Sequence, residues 1–345
     1  MLERRGFAAA ALSARRNVAW LTDGGDAHVA RASDDSAACI VVTRADAFVL
    51  TTVIEATRLR DEELDGAGLR VEAVPWPEGI EGWLRRGLGE IGLEQAARVA
   101  RDADVEADLR HVRARVTTDE EERLVWLGER AARAVTNAFL AARPGDLETV
   151  IGERMTLELA KDGVATPVLL VASDERIPRY RHPVPKTKPL ERELLLVLCA
   201  EWRGLYVALT RQGWVAGACD DETRRRFAAA RAVESAMHDA TVPGRTLGEV
   251  LAVGIEAYAK AGYPDEWRLL HQGGTIAYRG RETLATPGEP EVVDPGMAFA
   301  WNPSVTGAKV EDTLLLRGDG RRVFVTRDGS WPADESGAPA LWDAR

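Results

Sequence analysis

An internal repeat in the later part of the chain constrains its fold more than any other feature. An Ala-Arg-Ala-Val tetrapeptide occurs at 132–135 and again at 230–233. A Pro-Gly pair followed by leucine occurs at 144–147 and at 243–247, and an Ala-Lys pair followed by glycine occurs at 160–163 and at 259–262. Each copy predicts a helix, a Pro-Gly turn and a second helix. Strand-like runs follow the copies, at 167–172 and 194–200 and then at 297–301 and 313–316. Two such halves would pack their helices outside a shared curved sheet and leave a cleft between them.

The beginning of the chain has a different pattern. Short apolar runs at 38–43, 47–51 and 98–101 alternate with polar turns and helical stretches, which predicts a small α/β domain. Thr118 and Glu121 then form a capping-box signature ahead of apolar residues at helical spacing. We therefore expect a domain boundary near residue 115, with domains 1–115 and 116–345.

Charge and composition exclude several functional classes. The chain of 345 residues carries a formal net charge of −10 and shows no stripe of Lys and Arg, so nucleic acid is not an expected partner. Apolar runs such as 194–200 fall far short of the roughly 18 residues of a membrane helix, which predicts no membrane association and a cytoplasmic protein. Cys39, Cys199 and Cys219 do not have the spacing of a disulfide framework or a zinc site.

Three segments near the carboxyl terminus carry a recognisable motif. Residues 272–282 read Gln-Gly-Gly-Thr-Ile-Ala-Tyr-Arg-Gly-Arg-Glu, 295–297 read Pro-Gly-Met, and 309–313 read Lys-Val-Glu-Asp-Thr. In order and spacing they resemble the creatinase, prolidase and methionine aminopeptidase family, with its Gly-His-Gly-Ile-Gly-x-x-x-His-Glu, Pro-Gly-Met and Glu-Asp-Thr. Residues 13–22 are similar to the start of that family. The resemblance implies an α/β (α+β) fold: a small amino-terminal α/β domain, then a "pita-bread" domain with a pseudo-twofold repeat and helices outside a curved antiparallel sheet. It also implies a homodimer.

The resemblance implies that most metal ligands of the family are missing. Family members bind two metal ions through two Asp, one His and two Glu, and the first four of these positions correspond to Val197, Ala208, Gly274 and Asn302. Only the last, Glu311, is retained. Because divalent cations need several anionic or imidazole donors, we expect no catalytic metal and no other cofactor.

Within the family, creatinase is a metal-free member that hydrolyses a guanidino carbon–nitrogen bond. His182 corresponds in position to its proton-shuttling histidine, and Glu311 to one of its substrate-binding glutamates. A glutamate of creatinase is replaced here by Thr210, and the motif histidine is absent at Gly274. The resemblance therefore favours His182 and Glu311 as catalytic residues, but not creatine as the substrate.

The polar residues that remain define a candidate pocket. A histidine titrates near neutral pH and can transfer protons, and a glutamate can orient it or bind a cation. Arg281 offers a planar fork that suits a carboxylate. The expected substrate-binding residues are His271, Arg281, Glu282 and Asn302. The leading hypothesis is a metal-independent hydrolase or lyase that cleaves a carbon–nitrogen bond in a small, polar, carboxylate-bearing molecule.

Other interpretations remain open. His182 before Pro183 also fits a loop histidine without a role, and Arg281 with Glu282 also fits a solvated ion pair. Cys199, within an apolar run, is more typical of a small buried residue than of a nucleophile. The chain could also be a metal-dependent dipeptidase of the Xaa-Pro type, or an inactive relative that binds a small ligand.

Overall fold

A computed structural model describes residues 1–64, 66–94 and 97–343. The chain forms two compact units, Met1–Arg113 and Ala114–Arg345. Among the helices in these described ranges, none combines the length and the apolar character needed to cross a bilayer.

The first unit is built on a five-stranded sheet with the order β4-β3-β2-β1-β5. Its strands are β1 Ala9–Ala14, β2 Asp35–Val42, β3 Ala47–Thr52, β4 Arg70–Val74 and β5 Val99–Arg101. Strand β2 is antiparallel to both β1 and β3, whereas β5 pairs in parallel with β1 and β4 with β3. The helices are α1 Arg15–Leu21, α2 Ala56–Arg58, α3 Gly79–Arg86 and α4 Asp102–Arg113. The apolar runs at 38–43, 47–51 and 98–101 correspond to β2, β3 and β5.

The helices of the second unit follow the sequence repeat. They are α5 Thr118–Ala141, α6 Glu148–Ala160, α7 Asp221–Ala240 and α8 Leu247–Lys260. A Pro-Gly turn joins each pair, so the helix–turn–helix prediction is confirmed. The capping box lies one residue earlier than expected. Thr117, rather than Thr118, is the N-cap: its backbone is extended, and its side chain and that of Glu120 exchange hydrogen bonds with each other's backbone N–H.

The strands of the second unit form two main sheets, with orders β16-β8-β7-β6 and β10-β9-β11-β14-β15, and a small β12-β13 ribbon. The bounds are β6 Ala165–Ser173, β7 Glu193–Trp202, β8 Leu205–Trp214, β9 Gly273–Ile276, β10 Thr283–Leu284, β11 Met297–Trp301, β12 Ser304–Val305, β13 Ala308–Lys309, β14 Asp312–Leu316, β15 Arg322–Phe324 and β16 Trp342–Asp343. The pairings are antiparallel, except that β16 runs parallel to β8.

The two main sheets meet where β8 passes the start of β14. The backbone N–H of Thr210 donates to the carbonyl oxygen of Glu311 over 3.0 Å. The Thr313 hydroxyl donates to the carbonyl oxygen of Ala208 over 2.8 Å, and the Ala208 N–H donates to the Thr313 hydroxyl oxygen. These hydrogen bonds connect the sheets of the two halves of the repeat beside Glu311. The predicted α/β fold with a repeated pita-bread domain is confirmed.

Candidate active site

A cavity of about 290 Å³ opens beside Glu311, within the second unit. Its polar lining consists of His182, His271, Arg281, Asn302, Lys309 and Glu311. The remaining wall is mostly apolar and is formed by Val168, Leu170, Val197, Cys199 and Gly280. The structure therefore brings together residues that are distant in sequence, among them five of the six that the sequence singled out.

Glu311 is the buried centre of this set, with 2% of its surface exposed. Its Oε1 accepts a hydrogen bond from Arg281 Nη2 at 2.7 Å, and its Oε2 accepts one from the Thr210 hydroxyl at 2.9 Å. The Lys309 ammonium lies 3.5 Å from Oε2. Both carboxylate oxygens therefore already have partners, and two of the three partners are cations.

These partners determine the ionisation of Glu311. Burial alone would raise the pKa of its carboxyl group, but the charges of Lys309 and Arg281 and the hydrogen bonds from Arg281 and Thr210 outweigh burial and lower the pKa. Glu311 is thus ionised at neutral pH. A carboxylate held in this way is a weak base, and it anchors the two cations rather than activating water.

Lys309 was not singled out from the sequence. It lies on β13, and its side chain is only 6% exposed. Its position two residues before Glu311 could have indicated it, since alternate residues of an extended chain point to the same side. The pair of cations around one carboxylate leaves this pocket with an excess of one positive charge.

His182 and His271 both line the cavity, and both residues are exposed. Their ring centroids are 6.0 Å apart. Desolvation, followed by the charges of Lys309 and Arg281, lowers the pKa of His182. Desolvation and the charge of Arg281 lower the pKa of His271 to about 4. Both imidazoles are therefore neutral at pH 7 and can accept a proton.

The loop that carries His182 is fixed by its neighbour Arg181. The Arg181 guanidinium donates to Glu266 Oε2 at 2.6 Å, to the Thr306 hydroxyl at 2.7 Å and to the Ser304 hydroxyl at 2.9 Å. Glu266 in turn accepts from the backbone N–H of Thr306. This network ties a segment of the first half of the repeat to the second half, immediately beside the histidine.

Two of the candidate residues differ in their surroundings. Asn302 is 2% exposed, and its side-chain oxygen has no hydrogen-bond partner in the part of the chain that the structure describes. Glu282 is also buried, but its Oε1 accepts from the backbone N–H of Tyr278 at 3.0 Å. Its carboxylate thus supports the turn after β9 and is not part of the cavity lining.

Cys199 lines the cavity as a packing residue. Burial, with a further contribution from the charge of Glu311, raises the pKa of its thiol to about 11. The thiolate fraction at neutral pH is therefore very small, as expected for a structural cysteine.

The family resemblance pairs Val197, Ala208 and Gly274 with metal-ligand positions, and none of these three residues has a metal-binding side chain. Val197 and Ala208 are buried, and Gly274 pairs with Leu284 across β9 and β10. A Cβ atom at Gly274 would lie 1.9 Å from the carbonyl oxygen of Thr283, so this strand pair leaves no room for any side chain, including an imidazole. Within residues 1–64, 66–94 and 97–343, no group of three or more His, Cys, Asp or Glu side chains is arranged to hold a metal ion.

Comparison with known proteins agrees with this architecture. The sequence profile of metallopeptidase family M24 matches residues 92–318. The chain belongs to this family. No curated protein matches the M24 chain described here.

Solved structures show the same fold at low sequence identity. The prolidase from Pyrococcus furiosus aligns with a TM-score of 0.77 and 18% identity, over 95% of this M24 chain and 98% of that one. The Xaa-Pro dipeptidase from Bacillus anthracis aligns with a TM-score of 0.78 and 16% identity, over 99% of this chain and 96% of that one. The N-terminal domain of the FACT complex subunit SPT16 from Cicer arietinum aligns with a TM-score of 0.69 and 13% identity, over 94% of this chain and 91% of that one. Since the fold hosts proteins with such different descriptions, it does not by itself decide the activity.

Proposed function

We propose that this M24 protein is a metal-independent hydrolase or lyase that cleaves a carbon–nitrogen bond in a small polar substrate bearing a carboxylate. The observation that carries the proposal is the pairing of Glu311 with Arg281 and Lys309 in a cavity that two neutral histidines also line. Cations inside the protein take the place that metal ions would have beside this carboxylate.

The donor chemistry of the cavity does not fit a pair of divalent ions. Such ions need several converging anionic or imidazole donors. Of the family's ligand positions, Glu311 alone has a carboxylate, and its oxygens are bound by Arg281 and Thr210. A metal ion would also lie next to the Lys309 ammonium and would be repelled by it.

His182 is the proposed acid/base. In hydrolysis, it would accept a proton from water as the water oxygen bonds to the carbon of the scissile bond. The carbon–nitrogen bond then breaks, and the imidazolium returns the proton to the leaving nitrogen, so that one water is consumed and the ring ends neutral. His271 has a pKa of about 4, which makes it the weaker base near pH 7 and suits it to hydrogen bonding with the substrate. Glu311 contributes by holding Arg281 and Lys309 in position.

The electrostatics favour an anionic substrate. Arg281 and Lys309 provide two positive charges, and Glu311 compensates one of them. A carboxylate entering the cavity would neutralise the remaining charge, and the partial burial of the site strengthens this attraction relative to water.

A peptidase of the Xaa-Pro type is the second candidate. It is supported by family membership and by the fold shared with prolidases. Such an enzyme would require metal, so turnover that persists in a strong chelator would reject it.

The test is a thermal-shift screen of amino acids, guanidino compounds, cyclic amides, N-acyl amino acids and dipeptides, with and without Mn²⁺ or Zn²⁺. Compounds that raise the melting temperature are then incubated with the protein, and products are followed by NMR. We expect turnover of a carboxylate-bearing compound that is unaffected by chelator and falls about 10²- to 10⁴-fold in His182→Gln. The control His111→Gln, on α4, should keep the wild-type rate.

Two results would contradict the proposal. One is turnover that appears only with added metal, which would indicate a dipeptidase. The other is binding without turnover in the wild type, which would indicate a ligand-binding protein.

A further inference from the structure

The carboxamide oxygen of Asn302 is a candidate recognition group. The residue is held in place because its backbone N–H donates to the carbonyl oxygen of Gln272 at 3.1 Å. Its side chain lines the cavity, yet its buried oxygen has no partner within the described residues. Leaving such a polar atom unpaired is unfavourable, and a ligand that pairs with it would remove this cost.

A carboxamide offers both an acceptor oxygen and a donor N–H₂ group. The group that complements it best is another amide, ureido or similar planar group, which also has a donor and an acceptor side by side. Asn302 therefore differs from a carboxylate at the same position, which would accept hydrogen bonds only.

Lys309 has unused hydrogen-bonding capacity at the same cavity. An ammonium group has three donors. In the structure its nitrogen has one anionic neighbour among the described residues, Glu311 Oε2 at 3.5 Å, which is too long for a strong hydrogen bond. Arg281, in contrast, is bound to Glu311 at 2.7 Å and to the carbonyl oxygen of Gly280. Lys309 is thus the cation that is better able to bind an incoming carboxylate.

The apolar part of the lining and the volume of the cavity limit the ligand. Val168, Leu170 and Val197 present apolar surface, and the cavity of about 290 Å³ lies at the small end of the range for ligand sites. A small ligand with two polar groups and a short aliphatic part matches this mixed lining.

We propose that Asn302 and Lys309 determine specificity, Asn302 by binding an amide or ureido group and Lys309 by binding a carboxylate. The ligand class is the small N-acyl or N-carbamoyl amino acids. This inference rests on the proposed function for its choice of site, but it concerns binding and requires no turnover.

The test compares three probes of similar size by isothermal titration calorimetry: N-acetylglycine, N-acetylglycinamide, which lacks the carboxylate, and pentanoate, which lacks the amide. The wild type should bind N-acetylglycine at least 10-fold more tightly than either of the other two. Asn302→Leu should lose this advantage over pentanoate, and Lys309→Met should lose the advantage over N-acetylglycinamide. Lys309→Arg, which keeps the charge, should retain most of the affinity.

The controls are Asn137→Leu and Lys161→Met, which make the same chemical changes at exposed positions. Both should bind as the wild type does, and circular dichroism should show that every variant is folded. The proposal is overturned if the wild type does not distinguish the three probes, or if folded Asn302→Leu and Lys309→Met both bind N-acetylglycine normally. Selective binding without turnover would support this inference and reject the proposed function, whereas turnover of compounds that lack an amide and a carboxylate would reject this inference.

Discussion

Arg281 Nη2 lies 2.7 Å from Glu311 Oε1, and this partly buried ion pair joins the turn after β9 to the start of β14. The Lys309 ammonium lies near the other carboxylate oxygen, so Glu311 is the anion that both cations share. The positions of these three side chains in the pocket therefore depend on one another's charges.

Removing the anion should be costly. We expect Glu311→Gln to lower the free energy of unfolding by about 3–5 kcal/mol, because it leaves the half-buried Arg281 and the buried Lys309 without this compensating charge. Urea unfolding followed by circular dichroism measures the effect. Glu153→Gln, an exposed change on α6, should alter stability by less than about 0.5 kcal/mol. A loss of the same small size for Glu311→Gln would show that the cations do not need this carboxylate.

The strand pair β9–β10 should not tolerate a side chain at Gly274. Because a Cβ atom there would lie 1.9 Å from the Thr283 carbonyl oxygen, Gly274→Ala should destabilise the protein by about 3 kcal/mol or more. Gly329→Ala, where the added Cβ has no neighbour within 4 Å, is the matched control and should be close to neutral. Equal thermal stability of the two variants would contradict the close approach of these strands.

Glu193 should make stability depend on pH. Burial raises the pKa of its carboxyl group to about 7, against a hydrogen bond from Gln212 that favours the ionised form. A raised pKa in the folded state means that the protonated form is favoured there. The contribution of protonated Glu193 to stability is therefore complete below about pH 4.5, the ordinary pKa of the group in the unfolded chain. It is lost as the pH rises through the folded-state pKa of about 7.

The variant Glu193→Gln removes this titration. Relative to wild type, we expect it to gain stability at pH 8, on the order of 2–3 kcal/mol, and to show no such gain at pH 4. Urea midpoints at both pH values provide the measurement. A gain that is the same at both pH values would not come from the ionisation of Glu193.

Arg181 should position His182. Loss of its hydrogen bonds to Ser304, Glu266 and Thr306 in Arg181→Met would release the loop, and the pKa of His182 should rise toward its ordinary value of 6.5 as the ring moves away from Lys309 and into solvent. Titration of the histidine ring signals by NMR detects this change. Arg179→Met, an exposed change in the same loop, should leave the titration unchanged, and a similar result for Arg181→Met would remove the positioning role.

The parts of the fold that the sequence predicted are those set by local pattern. The paired helices α5–α6 and α7–α8 have clear apolar periodicity and Pro-Gly turns, so their order could be deduced. The N-cap at Thr117 was missed by one residue, because Thr118 is an equally good capping residue in sequence, and only the extended backbone at Thr117 distinguishes them. Boundaries of this kind depend on where the preceding chain is held.

In the candidate site too, the sequence predicted what local pattern sets and missed what tertiary packing sets. The motif segments singled out Arg281, Asn302 and Glu311, and these three residues line the same cavity. The approach of Thr210 and Lys309 to Glu311 depends on the joining of two sheets and on the course of a short ribbon, which no local pattern reports. The orientation of Glu282 was not predictable either, since its carboxylate accepts a hydrogen bond from Tyr278 within the turn after β9.

We propose that Arg281 and Lys309 take the place of a metal centre beside Glu311. A crystal of the wild type, soaked in Mn²⁺ and recorded with anomalous scattering, would show whether a metal ion can bind there. We expect no anomalous peak in the cavity, with Arg281 and Lys309 still in contact with Glu311. A peak within about 2.2 Å of a Glu311 oxygen, with Lys309 displaced, would contradict it.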